Sequence, residues 1–114
     1  MEYTGEKYGN ILIVKSSNPL ATISSAVKFK NFIMENIDKG ELNIIFDLEK
    51  IEMIDSTFLG SMVVVHRKLV LVGSKLILSN ANESVKLLLG LTKLNEAFEI
   101  YPTLNEAIGS FLIK

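Results

Sequence analysis

The residues of this chain best placed to do chemistry are Asp55-Ser56-Thr57-Phe58-Leu59-Gly60. They stand where an apolar run gives way to helical spacing. A serine at such a junction has two uses. Its oxygen can cap the helix by accepting a backbone N–H of the first turn, which is worth about 1 kcal/mol. The same hydroxyl can serve as a phosphate acceptor, because the free amides and positive dipole end of a helix favour a phosphate there. Phosphorylation of Ser56 would add roughly −1.5 to −2 charge beside Asp55 and turn the local surface acidic without disturbing the fold. The residues alone leave both uses open. Gly60 costs about 1 kcal/mol against alanine inside a helix, and reads either as a tolerated glycine or as room for a close approach.

Other catalytic constellations are excluded. Ser56 and the single histidine, His66, lie ten positions apart on one predicted helix, about 15 Å in rise, so they cannot act together. His66 falls on an apolar stripe and reads as a core or boundary residue. No G-x-G-x-x-G or G-K-[ST] phosphate loop occurs. Asp47, Glu49, Glu52 and Asp55 cluster in sequence and read as a solvated strand end. The chain has no cysteine, which removes disulfides, thiolate catalysis and cysteine-ligated zinc. No catalytic residue, metal or cofactor is expected.

The 114 residues suit one domain spanning 1–114, and 48% apolar content is enough to fill its core. A net charge of −1, with lysines spread along the chain, argues against nucleic acid. The N-terminal ten residues carry Glu2, Glu6 and Lys7 and lack the apolar core of a signal peptide. No window reaches the 18 or so uninterrupted apolar residues of a membrane span. A cytoplasmic protein without membrane insertion is expected.

Elements that would position Ser56 follow from periodicity. A strand over about 2–8, a Gly9-Asn10 turn and Ile11-Leu12-Ile13-Val14 predict an antiparallel pair. Ser16 to Pro19 breaks the pattern. Ala26, Phe29, Ile33 and Ile37 predict one face of a helix over about 23–37, stopped at Gly40. Leu42 to Leu48 predicts a buried strand, and 57–72 a helix with Leu59, Met62, Val63, His66, Leu69 and Val70 inward. Strand Lys75 to Ser79, a helix opened by Asn80 to Asn82, strand Ala97 to Tyr101, and a helix capped by Thr103 complete the chain. Strands alternating with amphipathic helices predict an α/β fold with a mixed, mostly parallel sheet.

From Asn43 to Tyr101 these residues resemble the STAS domain of bacterial anti-sigma factor antagonists. Ile44 to Leu48 resembles the family's apolar strand ending in Asp-Leu, and Ile54 to Gly60 its signature of an apolar residue, Asp-Ser, a small pair, an aliphatic residue and glycine. Leu76 to Asn80, Val85 to Leu89 and Leu94 to Tyr101 resemble the later strand, closing helix and strand. The resemblance implies a single STAS-like domain with helices largely on one face of the sheet. It implies phosphorylation of Ser56 by an anti-sigma factor serine kinase, binding of that kinase by the unphosphorylated form to release a sigma factor, and restoration by a PP2C-type phosphatase. The implied contact surface is Asp55, Ser56, Thr57 and Phe58, with Ser17 and Asn18 from the neighbouring loop. A phosphorylation-independent STAS interaction module, a scaffold or transporter-associated subunit, is the alternative. Three departures stand out: Thr57-Phe58 where the family has serine or threonine then glycine, no acid in Asn18 to Thr22, and Lys93 where glycine is frequent.

Overall fold

The computed structural model describes residues 2–112. Five strands form one sheet in the order β1-β2-β4-β6-β7: β1 (Tyr3–Tyr8), β2 (Ile11–Ser16), β4 (Asn43–Asp47), β6 (Lys75–Ser79) and β7 (Glu99–Tyr101). β1 runs antiparallel to β2 through the turn at Gly9, whose φ of +62° suits glycine; the remaining pairings are parallel. The mixed sheet read from the sequence is therefore present. Two further short strands, β3 (Leu20–Ala21) and β5 (Met53–Ile54), pair in parallel as a separate ribbon. They were not expected, since two residues carry no periodicity.

Side-chain alternation along the central strands sorts the core into two layers. In register, Leu12, Ile44 and Leu76 form one row and Val14, Phe46 and Leu78 another, both facing the larger core. Helices α1 (Ile23–Asp38), α2 (Ser56–Leu71) and α3 (Glu83–Leu91) cover that face. The intervening row, Ile13, Ile45 and Ile77, faces α4 (Leu104–Leu112), which closes the opposite side. Three helices against one is the largely one-sided packing expected.

Helix α2 is rotated relative to its sequence reading. Phe58, Leu59, Met62, Val65 and Leu69 are buried, while Val70 is 54% exposed. Asp47 also departs from expectation. It is buried rather than solvated, accepting from Asn80 Nδ2 (2.9 Å), Ser79 Oγ (3.3 Å) and the Glu49 amide (3.3 Å), with Lys15 Nζ at 3.8 Å. Its shell ties β4 to β6 at the C-terminal end of the sheet. Asn82 caps α3, accepting from the Val85 amide at 2.8 Å, and Thr103 Oγ1 accepts from the Glu106 amide at 3.1 Å. Lys93 has φ +62°, the backbone region that favours glycine.

His66 is a satisfied boundary residue. Its Nδ1 accepts from the Leu76 amide at 3.1 Å, and its ring stands edge-on to Phe98 with centroids 5.0 Å apart. Burial holds the imidazole below its ordinary value. The neutral ring's contribution to stability is thus complete above the unfolded-state value of about 6.5 and is lost as pH falls below it. Urea midpoints taken at about pH 7.5 and about pH 5.5 should show a loss on acidification that His66→Asn, which retains an acceptor, largely removes. Equal pH dependence of the two proteins would refute this role.

Candidate functional site

The segment 53–59 turns from strand to helix at the C-terminal end of β4, and the ribbon fixes where it does so. The Pro19 carbonyl accepts from the Glu52 and Met53 amides (2.8 and 3.3 Å), and the Ala21 carbonyl from the Asp55 amide (3.0 Å). The loop preceding α1 and the segment preceding α2 are therefore held side by side.

Asp55, not Ser56, caps α2. Its backbone is extended, and its Oδ1 accepts from the Phe58 amide at 2.9 Å. The expectation that Ser56 supplies the cap is thus corrected: an ionised carboxylate is the stronger acceptor, and it occupies the N-cap position one residue earlier. Asp55 does more. Its Oδ2 accepts from the Ile23 amide at 2.9 Å, at the first residue of α1. One half-buried carboxylate thereby closes the N-termini of two neighbouring helices. With both oxygens committed to backbone amides, Asp55 is a clamp between the two helices.

Ser56 is the first residue of α2 and is exposed, as is Thr57. Among the described residues, neither hydroxyl has a hydrogen-bond partner and the amides of Ser56 and Thr57 have no acceptor. No acid lies in the first turn of α2. Phe58 contradicts its sequence assignment. It is 0% exposed, with ring centroids 4.8 Å from Phe29 and 6.1 Å from Phe46. A large ring in the first turn faces the core because α1 and β4 supply aromatic partners there, so Phe58 is an internal anchor and not a contact for another protein.

Ser17 and Asn18 shape the loop. The Ser17 amide and Oγ donate to the Glu2 carbonyl (2.9 and 3.3 Å), and Asn18 Oδ1 accepts from the Leu20 amide at 2.9 Å. Among the described residues, no hydrogen bond links either side chain to Ser56. Gly60 is exposed, and a Cβ built on it meets nothing within 4 Å, so no close approach inside this chain requires the glycine.

The structure also brings to this end of the molecule residues that periodicity did not single out. Leu20 and Met53 are register partners across the ribbon, 46% and 49% exposed, and Ile23, bonded to Asp55 through its amide, is 69% exposed. The available signal was an apolar residue off the core stripe at the start of α1. Leu20 and Met53 become neighbours only through the ribbon.

Comparisons with known proteins agree with this architecture. The STAS domain family matches residues 3–107. A protein of Thermotoga neapolitana, named as a candidate anti-sigma factor antagonist, is 31% identical over 98 residues, covering 85% of this chain and 87% of its own. The crystal structure of a candidate anti-sigma factor antagonist from Thermotoga maritima superposes with a TM-score of 0.85 at 27% identity, covering 95% of this chain and 92% of that one. The Bacillus cell fate determinant SpoIIAA, in its phosphorylated form, shares the fold with a TM-score of 0.74 at 19% identity over 96% of this chain and 98% of its own. The chain belongs to the STAS domain family, among its anti-sigma factor antagonists.

Two caps on one carboxylate make Asp55 the costliest polar side chain to remove here. Asp55→Ala should lower unfolding free energy by about 2 kcal/mol, roughly one per lost cap, and Phe58→Ala by about 3–5 kcal/mol. Ser56→Ala should stay within about 0.5 kcal/mol. Urea denaturation measures all three. An Asp55→Ala loss no greater than that of Ser56→Ala would contradict the clamp.

Proposed function

We propose that this protein is a non-enzymatic binding switch in which the unphosphorylated form engages an anti-sigma factor serine kinase and so releases a sigma factor. Phosphorylation of Ser56 ends that engagement, and a PP2C-type phosphatase restores it in the cytoplasm. The observation that carries this reading is the state of the Ser56 hydroxyl: exposed and, among the described residues, unpaired, at the first position of a helix whose first two amides have no acceptor there. Such a position receives a phosphoryl group without breaking an internal bond. The family membership and the existence of a phosphorylated fold relative support it.

The partner surface is centred on Ser56 and Thr57, with Leu20, Ile23 and Met53 as its apolar contacts and the loop at Ser17 and Asn18 as its border. Gly60, one turn beyond Ser56, keeps the helix flat for an approaching protein. A phosphate at Ser56 would place roughly −1.5 to −2 charge among those apolar side chains. Desolvating it on binding would be costly unless the partner supplied paired cations.

Incubation with ATP and the host's serine kinases should add about 80 Da, one phosphoryl group, and Ser56→Ala should abolish the gain. Modification of Thr57 alone, or of nothing, would sink the switch. Ser56→Asp should weaken kinase binding while leaving the melting temperature within a few degrees. Ile23→Ser and Met53→Ser should each weaken binding roughly tenfold and, being exposed, leave stability within about 0.5 kcal/mol. The apolar contacts would also serve a STAS interaction module that ignores phosphorylation. Binding sensitive to Ile23→Ser but indifferent to Ser56→Asp would select that second reading.

A further inference from the structure

Strand β1 forms one edge of the main sheet with six residues, and β7 forms the other with three. Every β1 residue after Tyr3 is exposed. The Glu2 carbonyl accepts from the Ser17 amide at 2.9 Å, so it turns towards β2. In the antiparallel register from Tyr3↔Ser16 to Tyr8↔Ile11, the backbone groups of Thr4, Glu6 and Tyr8 turn the same way. Those of Tyr3, Gly5 and Lys7 turn outwards. Among the described residues nothing pairs with that outer row. An open edge of this length is a template for another strand.

Helix α1 runs along the same edge. A Cβ built on Gly5 would lie 2.9 Å from Leu12 Cδ1 and 3.5 Å from Phe32 Cζ, so Gly5 sits under Phe32. Tyr3 donates to the Ser25 carbonyl, and Lys7 pairs with Glu41 just past the helix, so β1 and α1 point the same way. Lys28, Asn31, Phe32 and Glu35 share the face of α1 beside the edge. Phe32 is half-buried and the other three are exposed. An open cavity of about 300 Å³ separates that face from Tyr3.

We infer that two copies of this chain pair through β1, antiparallel about a twofold axis perpendicular to the sheet, and so join two five-stranded sheets into one. Self-complementarity selects both the occupant and the register. Gly5 against Gly5 of the second copy sets Tyr3 against Lys7, and the outward rows exchange about six N–H···O bonds. Thr4 then faces Glu6. The next register puts Glu6 against Glu6, and the one beyond it Lys7 against Lys7, both like-charged. Sliding the other way leaves Lys7 without a strand partner. The same axis passes beside Phe32 and brings the two α1 helices together antiparallel. Lys28 and Glu35 stand equally far to either side of the midpoint between Asn31 and Phe32. Each ammonium therefore meets the carboxylate of the other copy. A strand from an unrelated protein would find the backbone groups but not this second match. The inference is independent of phosphorylation at Ser56.

The chain has no cysteine, so introduced thiols report the register. The double variant Thr4→Cys/Glu6→Cys should oxidise to a disulfide-linked dimer. Positions 4 and 6 face each other as a non-hydrogen-bonded pair, with Cα atoms about 4.5 Å apart. Glu6→Cys alone should not cross-link. Sedimentation equilibrium of the unaltered chain at up to about 1 mM should fit a monomer–dimer equilibrium. Lys7→Pro removes an outward N–H while sparing the β1–β2 ladder, and should give monomer. Lys28→Glu should weaken dimerisation roughly fivefold, and adding Glu35→Lys should restore it. These exposed changes carry the test should Lys7→Pro fail to fold. Cross-linking by Glu6→Cys equal to that of the double variant, or no recovery in the charge swap, would overturn the inference. So would a monomer at every concentration, which leaves the edge to an extended segment of another protein.

Discussion

Two helix N-termini meet on one carboxylate, and the rest of the site depends on it. Each N-terminus carries roughly half a positive charge. The ends of α1 and α2 therefore sum to about one unit, and the ionised Asp55, bonded to the Ile23 and Phe58 amides at 2.9 Å each, supplies about one unit of the opposite sign. The locus is close to electrically balanced while Ser56 is unmodified. A phosphoryl group would break that balance by more than a full charge. Had Asp55 been absent, two exposed dipole ends would have made the place a standing anion site, occupied without regulation. With the clamp in place, a covalent modification of Ser56 would be legible at this surface.

The clamp also frees Ser56. At the N-cap position a serine's oxygen is drawn to the amides of its own helix, and phosphorylation would first have to break that bond. One residue later it points away with nothing to lose. Phe58 completes the division: with Phe29 and Phe46 it locks the first turn of α2 to α1 and β4, so the helix end is held from inside the core and from its cap. The β3–β5 ribbon adds the third restraint by fixing Pro19 and Ala21 against Glu52, Met53 and Asp55.

Much of the fold was legible in the sequence because its information is local. Strands β2, β4 and β6 are short apolar runs, α1 has a clean stripe, and Asn82 and Thr103 mark helix starts. The phase of α2 was not legible. Val63-Val64-Val65 is apolar all round, so the core stripe could be drawn through Val63 and Val70 as readily as through Phe58 and Val65; only the aromatic partners of Phe58 decide between them. Asp47 was misread for a related reason, since its shell comes from Ser79 and Asn80, more than thirty positions away. The candidate site divides in the same way. Ser56 at a strand-to-helix junction is a local signal, whereas the second bond of Asp55 spans 32 positions, and the adjacency of Leu20 and Met53 exists only through the ribbon.

The order of residues from 53 to 59 explains how one short segment can be anchored in the core and still present side chains at the surface. Met53 faces out and Ile54 in, the period of a strand. Asp55 turns both oxygens inward, Ser56 and Thr57 face out, and Phe58 and Leu59 face in as the helical period takes over. Inward and outward residues alternate closely enough that the outward ones hang on an anchored backbone, yet among the described residues they share no side-chain hydrogen bond with the inward ones. A phosphate on Ser56 can therefore change what a partner meets without loosening Phe58 or breaking the caps of Asp55. The change is one of surface charge at fixed geometry. A small domain with little stability to spare can undergo it repeatedly without passing through a partly unfolded form.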